Sequence, residues 1–299
     1  MEKWTFKLGA HPINWVGEDV EEHGADTSYE QILDDMQALG LKGTEMGRKY
    51  PRDPAVLRRE LDSRGIQLVS QWKSVQFSDP SRRAAELEAY RRHADFLAGF
   101  GSKVISTCET GGSFFADALG EGGAGGAPLP RGLDDEGWKH LAEGLNEAGR
   151  IAQSFGLKLA YHHHAGTAVE RPHEIERLME TTDRNLVYLL FDTGHALYGG
   201  ADPLELLRTY SDRVAYVHLK DVRPGVLAAA REEGCDFITC IRRGVFTVPG
   251  DGCIDFAPIV QELESRGYQG WAMLEGEQDP ATHPPYEYAK RSMEYLYSL

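Results

Sequence analysis

Apolar runs in the second half of the chain stop, one after another, on imidazole or carboxylate. LKLAY runs into His162-His163-His164, VYLLF into Asp192-Thr193-Gly194-His195, VAYV into His218-Leu219-Lys220-Asp221, and WAML into Glu275-Gly276-Glu277. His, Asp, His and Glu gathered in one pocket are natural ligands for a divalent ion. Oxygen and imidazole donors without thiolate lean toward Mn²⁺, Co²⁺ or Mg²⁺, with Zn²⁺ also within the chemistry. Side chains alternate along a strand, so His162 and His164 share a face and His163 takes the other. His218 and Lys220 likewise share a face, with Leu219 opposite. The strand ending in the histidine run therefore offers His162 or His164 as its ligand.

The first half ends its apolar runs on a sparser set. These are Ala10-His11-Pro12-Ile13-Asn14-Trp15, Thr44-Glu45-Met46-Gly47, Gln71-Trp72-Lys73 and Cys108-Glu109-Thr110. Trp15 and Trp72 read as pocket walls. Glu45 and Glu109 are candidates for a direct role. Cys108 has no evident base beside it, which argues against nucleophilic catalysis.

Elements of one kind must position all these residues. Strand-like runs are expected at Phe6–Ala10, Gly43–Met46, Ile66–Gln71, Lys103–Thr107, Leu157–Tyr161, Val187–Phe191, Val214–Val217 and Gly270–Leu274. Between them apolar residues recur at helical spacing, most clearly Trp138, Leu141, Leu145, Ala148, Ala152 and Phe155, and again Leu87, Tyr90, Ala94 and Leu97. Helices run into Gly40, Gly65, Gly101, Gly156 and Gly267 just before the next strand, the usual place for a left-handed helix end. Repeated strand–helix alternation implies parallel strands with right-handed crossovers, and eight such units close into an α/β (β/α)8 TIM barrel. The rival open sheet lacks a GxGxxG after the first strand. No domain boundary appears, so residues 1–299 read as a single domain. Two stretches exceed ordinary connectors: Glu109–Asp134, Gly-rich and lid-like, after the fourth strand, and Asp221–Ile254 after the seventh, with a short helix expected around Val226–Glu233. In such a barrel, chemistry collects where strands end and βα loops begin.

Composition excludes several classes. A formal net charge of -15 without any clustered Lys/Arg run argues against nucleic-acid binding. MEKWTFKLGA lacks the apolar core of a signal peptide, and no run approaches the roughly 20 apolar residues of a membrane span. The 4 cysteines, without CxxC spacing, read as free thiols and point to the cytoplasm.

KLGAHPINW, GTEMG, LAYHHHAGT with Glu170 close behind, LLFDTGHALYGGADP, VAYVHLKDVR and GWAMLEGEQD stand in this order across almost the whole chain. Together they resemble the inosose dehydratase family of the xylose-isomerase-like TIM-barrel group. The resemblance implies Asp192, His218 and Glu275 as metal ligands. His162 falls where the wider group commonly carries Glu, and His195 matches a substrate-orienting histidine. Related epimerases use two metal-bound carboxylates on opposite substrate faces. With an imidazole in one of those places, the implied chemistry leans to dehydration. The implied reaction is conversion of scyllo-inosose (2-keto-myo-inositol) to a trihydroxycyclohexane-1,2-dione plus water in myo-inositol catabolism, by a hydro-lyase using Mn²⁺ or Co²⁺. On this reading Glu275 is the first choice of base and Glu45 the second, while Lys220, His195 and Lys73 are candidate acids. The expected substrate contacts are His11, Asn14, Trp15, Glu45, Lys73, Glu109, His164, His195 and Lys220. The partner is a small cyclic polyol ketone. Barrels of this group often associate, which leaves a homo-oligomer open. A metal-dependent sugar or ketose isomerase or epimerase is the alternative on the same scaffold.

Overall fold

A computed structural model of the chain describes residues 3–111, 113 and 132–299. Its strands are β1 (Lys7–Ala10), β2 (Gly43–Glu45), β3 (Gln67–Ser70), β4 (Trp72–Val75), β5 (Val104–Glu109), β6 (Lys158–His162), β7 (Val187–Asp192), β8 (Val214–Leu219), β9 (Asp221–Val222), β10 (Phe246–Thr247) and β11 (Trp271–Leu274). Nine of them form one sheet in the order β3-β2-β1-β11-β8-β7-β6-β5-β4. Each neighbouring pair in it is parallel. The two ends of that order, β3 and β4, are separated by Gln71 alone, so they are halves of one stave and the ring closes through it. The result is a TIM barrel with the third stave broken.

Strand alternation sorts the core into two layers. Val69, Val104, Ala160, Leu190, Tyr216 and Met273, one from each of six staves, form a cluster of their own inside the ring. The opposite face, with Leu68, Ile105, Leu159, Leu189, Val217 and Ala272, packs into the larger core shared with the helices. The helix Asp135–Ser154 lays Trp138, Leu141, Leu145, Ala148 and Ala152 into that core, as its periodicity predicts. Each large apolar side chain buried this way contributes roughly 1.5–3 kcal/mol. Gly144 of the same helix faces Phe77, whose ring would lie 2.4 Å from any added Cβ, so only glycine permits this approach. The junction glycines Gly40, Gly65, Gly101, Gly156 and Gly267 all adopt positive φ, between 64° and 78°.

The excursion after β8 is more structured than its sequence suggests. Beyond the expected helix, found at Pro224–Glu233, it holds a second one, Phe237–Arg242, and the antiparallel ribbon β9–β10. Val222, Leu227, Ala230, Phe237, Cys240, Ile241, Val245 and Phe246 give it a small core, joined by Val20 and Ala165. Asp221 ties its return: Oδ1 accepts from the backbone N–H of Val222, Cys253 and Ile254, and Oδ2 from Gly250 and Gly252. Most of the Gly-rich stretch expected as a lid after the fourth strand lies outside the described residues. Among the described residues, no helix is long and apolar enough to cross a membrane.

Candidate active site

The inward face of each stave, followed one step beyond the inner core layer, leads to the site. Ala160 is followed two residues on by His162, Leu190 by Asp192, Tyr216 by His218 and Met273 by Glu275. The four side chains are therefore directed to the barrel axis by the same alternation that buries the layer below them. His162, Asp192 and His218 bring one potential ligand atom each within 4.8 Å of the others, and so do His11, Glu45 and Glu275. The two groups touch through His218, whose Nε2 lies 2.6 Å from Glu45 Oε1 and whose Nδ1 lies 2.9 Å from Glu275 Oε1.

Asp192 is held by one oxygen and left open at the other. Its Oδ1 accepts from the His195 backbone N–H at 2.7 Å, capping the helix Thr193–Gly199. Its Oδ2 lies 3.5 Å from His162 Nε2 and 3.6 Å from His218 Nδ1, with no hydrogen bond to either. Both ring nitrogens of His162 are buried without hydrogen-bond partners too, while His218 Nδ1 is engaged by Glu275. Buried polar atoms are nearly always paired, so an orphaned Asp192 oxygen and an orphaned His162 ring, with one ligand atom of each within 4.8 Å of the other and of His218, are what a cation-binding set looks like. The donor chemistry, two imidazoles with carboxylates, fits a divalent metal.

Charge around the set is strongly coupled. Burial alone would raise Asp192 and Glu275, yet neighbouring charge holds both carboxyls well below their usual range, Lys220 foremost for Asp192, and His218 followed by Lys220 for Glu275. Burial works the other way on His218, but Glu275 and Glu45 lift it well above its ordinary value. Burial depresses His162, His164 and His195, so these rings are neutral at pH 7. Lys220 reaches Glu275 at 2.8 Å, Glu277 at 2.7 Å and His195 Nε2 at 3.1 Å.

The histidine run divides as strand alternation requires. His163 turns away from the axis and accepts from the Asp192 backbone N–H through Nε2. His164 shares the inward side, but its Nδ1 bonds Ala165 O at 2.9 Å and its ring packs against His195 at 3.8 Å. It therefore flanks the Asp192–His218 pair, while His162 is the member beside them. Trp72 walls this side, 5.4 Å from both His162 and His164, and Phe237 and Phe246 of the excursion pack over His195. His11 Nε2 stands 3.8 Å from Glu45, and Asn14 is buried at the same mouth.

Three expected substrate contacts are not brought to the cluster, which corrects their placement. Trp15 is sunk in the outer core, its indole donating to Asp35 at 2.8 Å. Lys73 points out of the ring toward Glu86, 3.3 Å away, because the break at Gln71 shifts the alternation and turns Trp72 inward instead. Glu109 has the outward parity of Ile105 and Thr107. Its carboxylate accepts from Phe77 N–H, Ser78 N–H and hydroxyl, and Gly111 N–H. Sequence reasoning missed Tyr216, whose hydroxyl donates to Glu45 at 2.7 Å across the ring, and Glu277. For Glu277 the only signal was its type and nearness to Glu275, because β11 ends at Leu274 and alternation does not extend to a residue with φ 31°.

Known proteins match the chain throughout. The family described as xylose isomerase-like TIM barrel matches residues 33–299. An inosose dehydratase of Geobacillus kaustophilus is 50% identical over 99% of this chain and 96% of its own. Its counterpart in Clostridium beijerinckii is 44% identical over 97% and 96%. The chain belongs to the inosose dehydratase family, and so to a family of enzymes within the xylose isomerase-like barrels. Among solved structures, the IOLI protein with a bound zinc atom superposes with a TM-score of 0.70 at 16% identity, covering 96% of each chain, a likeness of fold.

Proposed function

We propose that the chain is a metal-dependent hydro-lyase that dehydrates scyllo-inosose to a trihydroxycyclohexane-1,2-dione in inositol catabolism. The observation carrying this reading is the buried His162–Asp192–His218 set, with its unpartnered atoms, beside Glu275 and Glu45. Full-length similarity to proteins named inosose dehydratase supports an inosose as the substrate. His162, Asp192, His218 and Glu275 would hold the metal, and Mn²⁺ or Co²⁺ suits these donors better than a structural zinc. Bound there, the cation supplies Lewis-acid polarisation of the ketone oxygen.

The chain's own residues handle the protons. Glu275, or Glu45 behind it, takes the proton from the carbon next to the ketone. The electron pair forms a C=C bond while the β C–O bond breaks. Lys220 gives the departing hydroxide its proton, with the neutral His195 ring beside it orienting the group, so water leaves. The remaining enol, which carries a hydroxyl on the former α carbon, tautomerises to the 1,2-dione. Positioned proton transfer of this kind contributes about 10²–10⁴-fold. Trp72 packs against His162, and Phe237 and Phe246 against His195, where they would screen a bound ketone from bulk water. Free cysteines throughout support a reducing, cytoplasmic setting. The test is turnover: enzyme loaded with Mn²⁺ or Co²⁺ should convert inosose to a product lighter by one water. Solvent exchange at the α carbon with unchanged substrate mass would replace this reading with an epimerase.

A further inference from the structure

Two acceptors are buried at the mouth of the barrel, Asn14 Oδ1 with no donor and Glu277 with Lys220 and the Asp19 carboxyl as its partners. Asn14 is 4% exposed, and its Nδ2 donates to Leu274 O at 2.9 Å. That bond fixes the amide orientation and makes Oδ1 the end without a partner. Glu277 is 3% exposed; its Oε2 sits 2.7 Å from Lys220 Nζ, and no N–H or hydroxyl reaches its Oε1. Its protein neighbour is another carboxyl, that of Asp19, hydrogen-bonded to it. Asp19 is pushed well above the usual range by burial first and then by the charge of Glu277. Between the acceptors lies Gly276, where an added Cβ would come within 2.8 Å of Val248 Cγ1 and 3.0 Å of Asn14 Oδ1. The backbone is bent to make this arrangement: among the described residues Glu277 alone, apart from glycines, has positive φ, at 31°. Strain of this kind is retained where the surroundings enforce it, commonly at binding sites.

We propose that Glu277 and Asn14 form a hydroxyl-reading subsite, in which Glu277 Oε1 and Asn14 Oδ1 accept from ring hydroxyls of the substrate. This inference rests on the polyol-ketone reading above and assigns its selectivity. Asn14 Oδ1, buried without a donor, discriminates sharply, because a substrate lacking the matching hydroxyl leaves it desolvated and unpaired; Glu277, already held by Lys220 and Asp19, adds a second acceptor beside it. Glu277 is thus a specificity-determining residue, one that favours polyhydroxylated rings over ketones with bare ring carbons. Gly276 keeps the space that the ring edge enters.

The experiment compares kcat/KM for scyllo-inosose and for its monodeoxy analogues, using metal-loaded wild type and Glu277→Gln. Wild type should disfavour at least one deoxy analogue by about 10–100-fold. Glu277→Gln should narrow that ratio about 10-fold, chiefly through KM for inosose, with metal content unchanged. An equal loss on both substrates would overturn the proposal. Should Glu277→Gln fail to fold, the wild-type ratio still decides: no discrimination against any deoxy analogue overturns it. Gly276→Ala should raise KM for inosose in the same assay, and an unchanged KM counts against the subsite. If wild type does not dehydrate inosose at all, the parent reading fails instead. Calorimetric binding of myo-inositol against its deoxy forms then tests the subsite by itself, on the same discrimination criterion.

Discussion

The two sides of the barrel mouth carry similar residue types and use them in opposite ways. On the side of β6, β7, β8 and β11, His162, Asp192 and His218 point inward, and His162 and Asp192 leave ligand atoms without hydrogen-bond partners. On the side of β4 and β5, Lys73 and Glu109 point outward and are satisfied locally, Lys73 by Glu86 and Glu109 by the loop at Phe77–Ser78 and by Gly111. A charged residue at a strand end is thus not a site by type alone. What separates the two sides is whether the protein has left the polar atoms unanswered, since burying an unpaired group costs about 1–3 kcal/mol and persists only with a compensating ligand or role.

The comparison breaks most visibly at Asp192. Asp192→Ala should abolish metal retention measured on the purified protein, and lower kcat/KM by roughly 10³-fold or more; full metal stoichiometry in the variant would show that the orphaned atoms are not a ligand set. The β5 side predicts a pH effect on stability instead. Burial raises Glu109 from 4.5 to about 7. A carboxyl raised in the fold contributes stability that is complete below about pH 4.5 and lost as pH rises through about 7, here on the order of 1–3 kcal/mol. Glu109→Gln, which cannot ionise, should flatten that part of the melting-temperature profile, and an identical profile in variant and wild type would contradict it. The smallest change is expected at Lys73. Its ion pair with Glu86 is largely buried but set apart from the cluster, so Lys73→Met should cost about 1–2 kcal/mol of stability and leave kcat essentially unchanged. A large drop in kcat at constant stability would return Lys73 to the list of acids.

Much of this was readable beforehand, for a local reason. The stave positions follow from apolar runs and helical stripes, and even the split of His162, His163 and His164 between two faces follows from strand alternation. Lys73 was misplaced because the interruption at Gln71 has no sequence mark: Ile66–Gln71 reads as one regular strand, and a one-residue irregularity reverses every side chain after it. Trp15 shows a different limit. It follows a strand end, yet the short 3-10 turn Pro12–Asn14 carries it into the outer core. The second helix and ribbon of the β8 excursion escaped notice because their signals are short, two residues per strand in β9 and β10.

The sequence by itself determined the staves, their inward parity and the residue types at their ends, because period and local chemistry act within a few residues. Only the tertiary structure decided which ends meet. Tyr216 reaching Glu45 across the ring, Glu277 turned back onto Lys220 at a strained φ, and the excursion's Phe246 set against His195 join residues far apart in the chain. Such distances are fixed by closure of the barrel and by packing over its mouth.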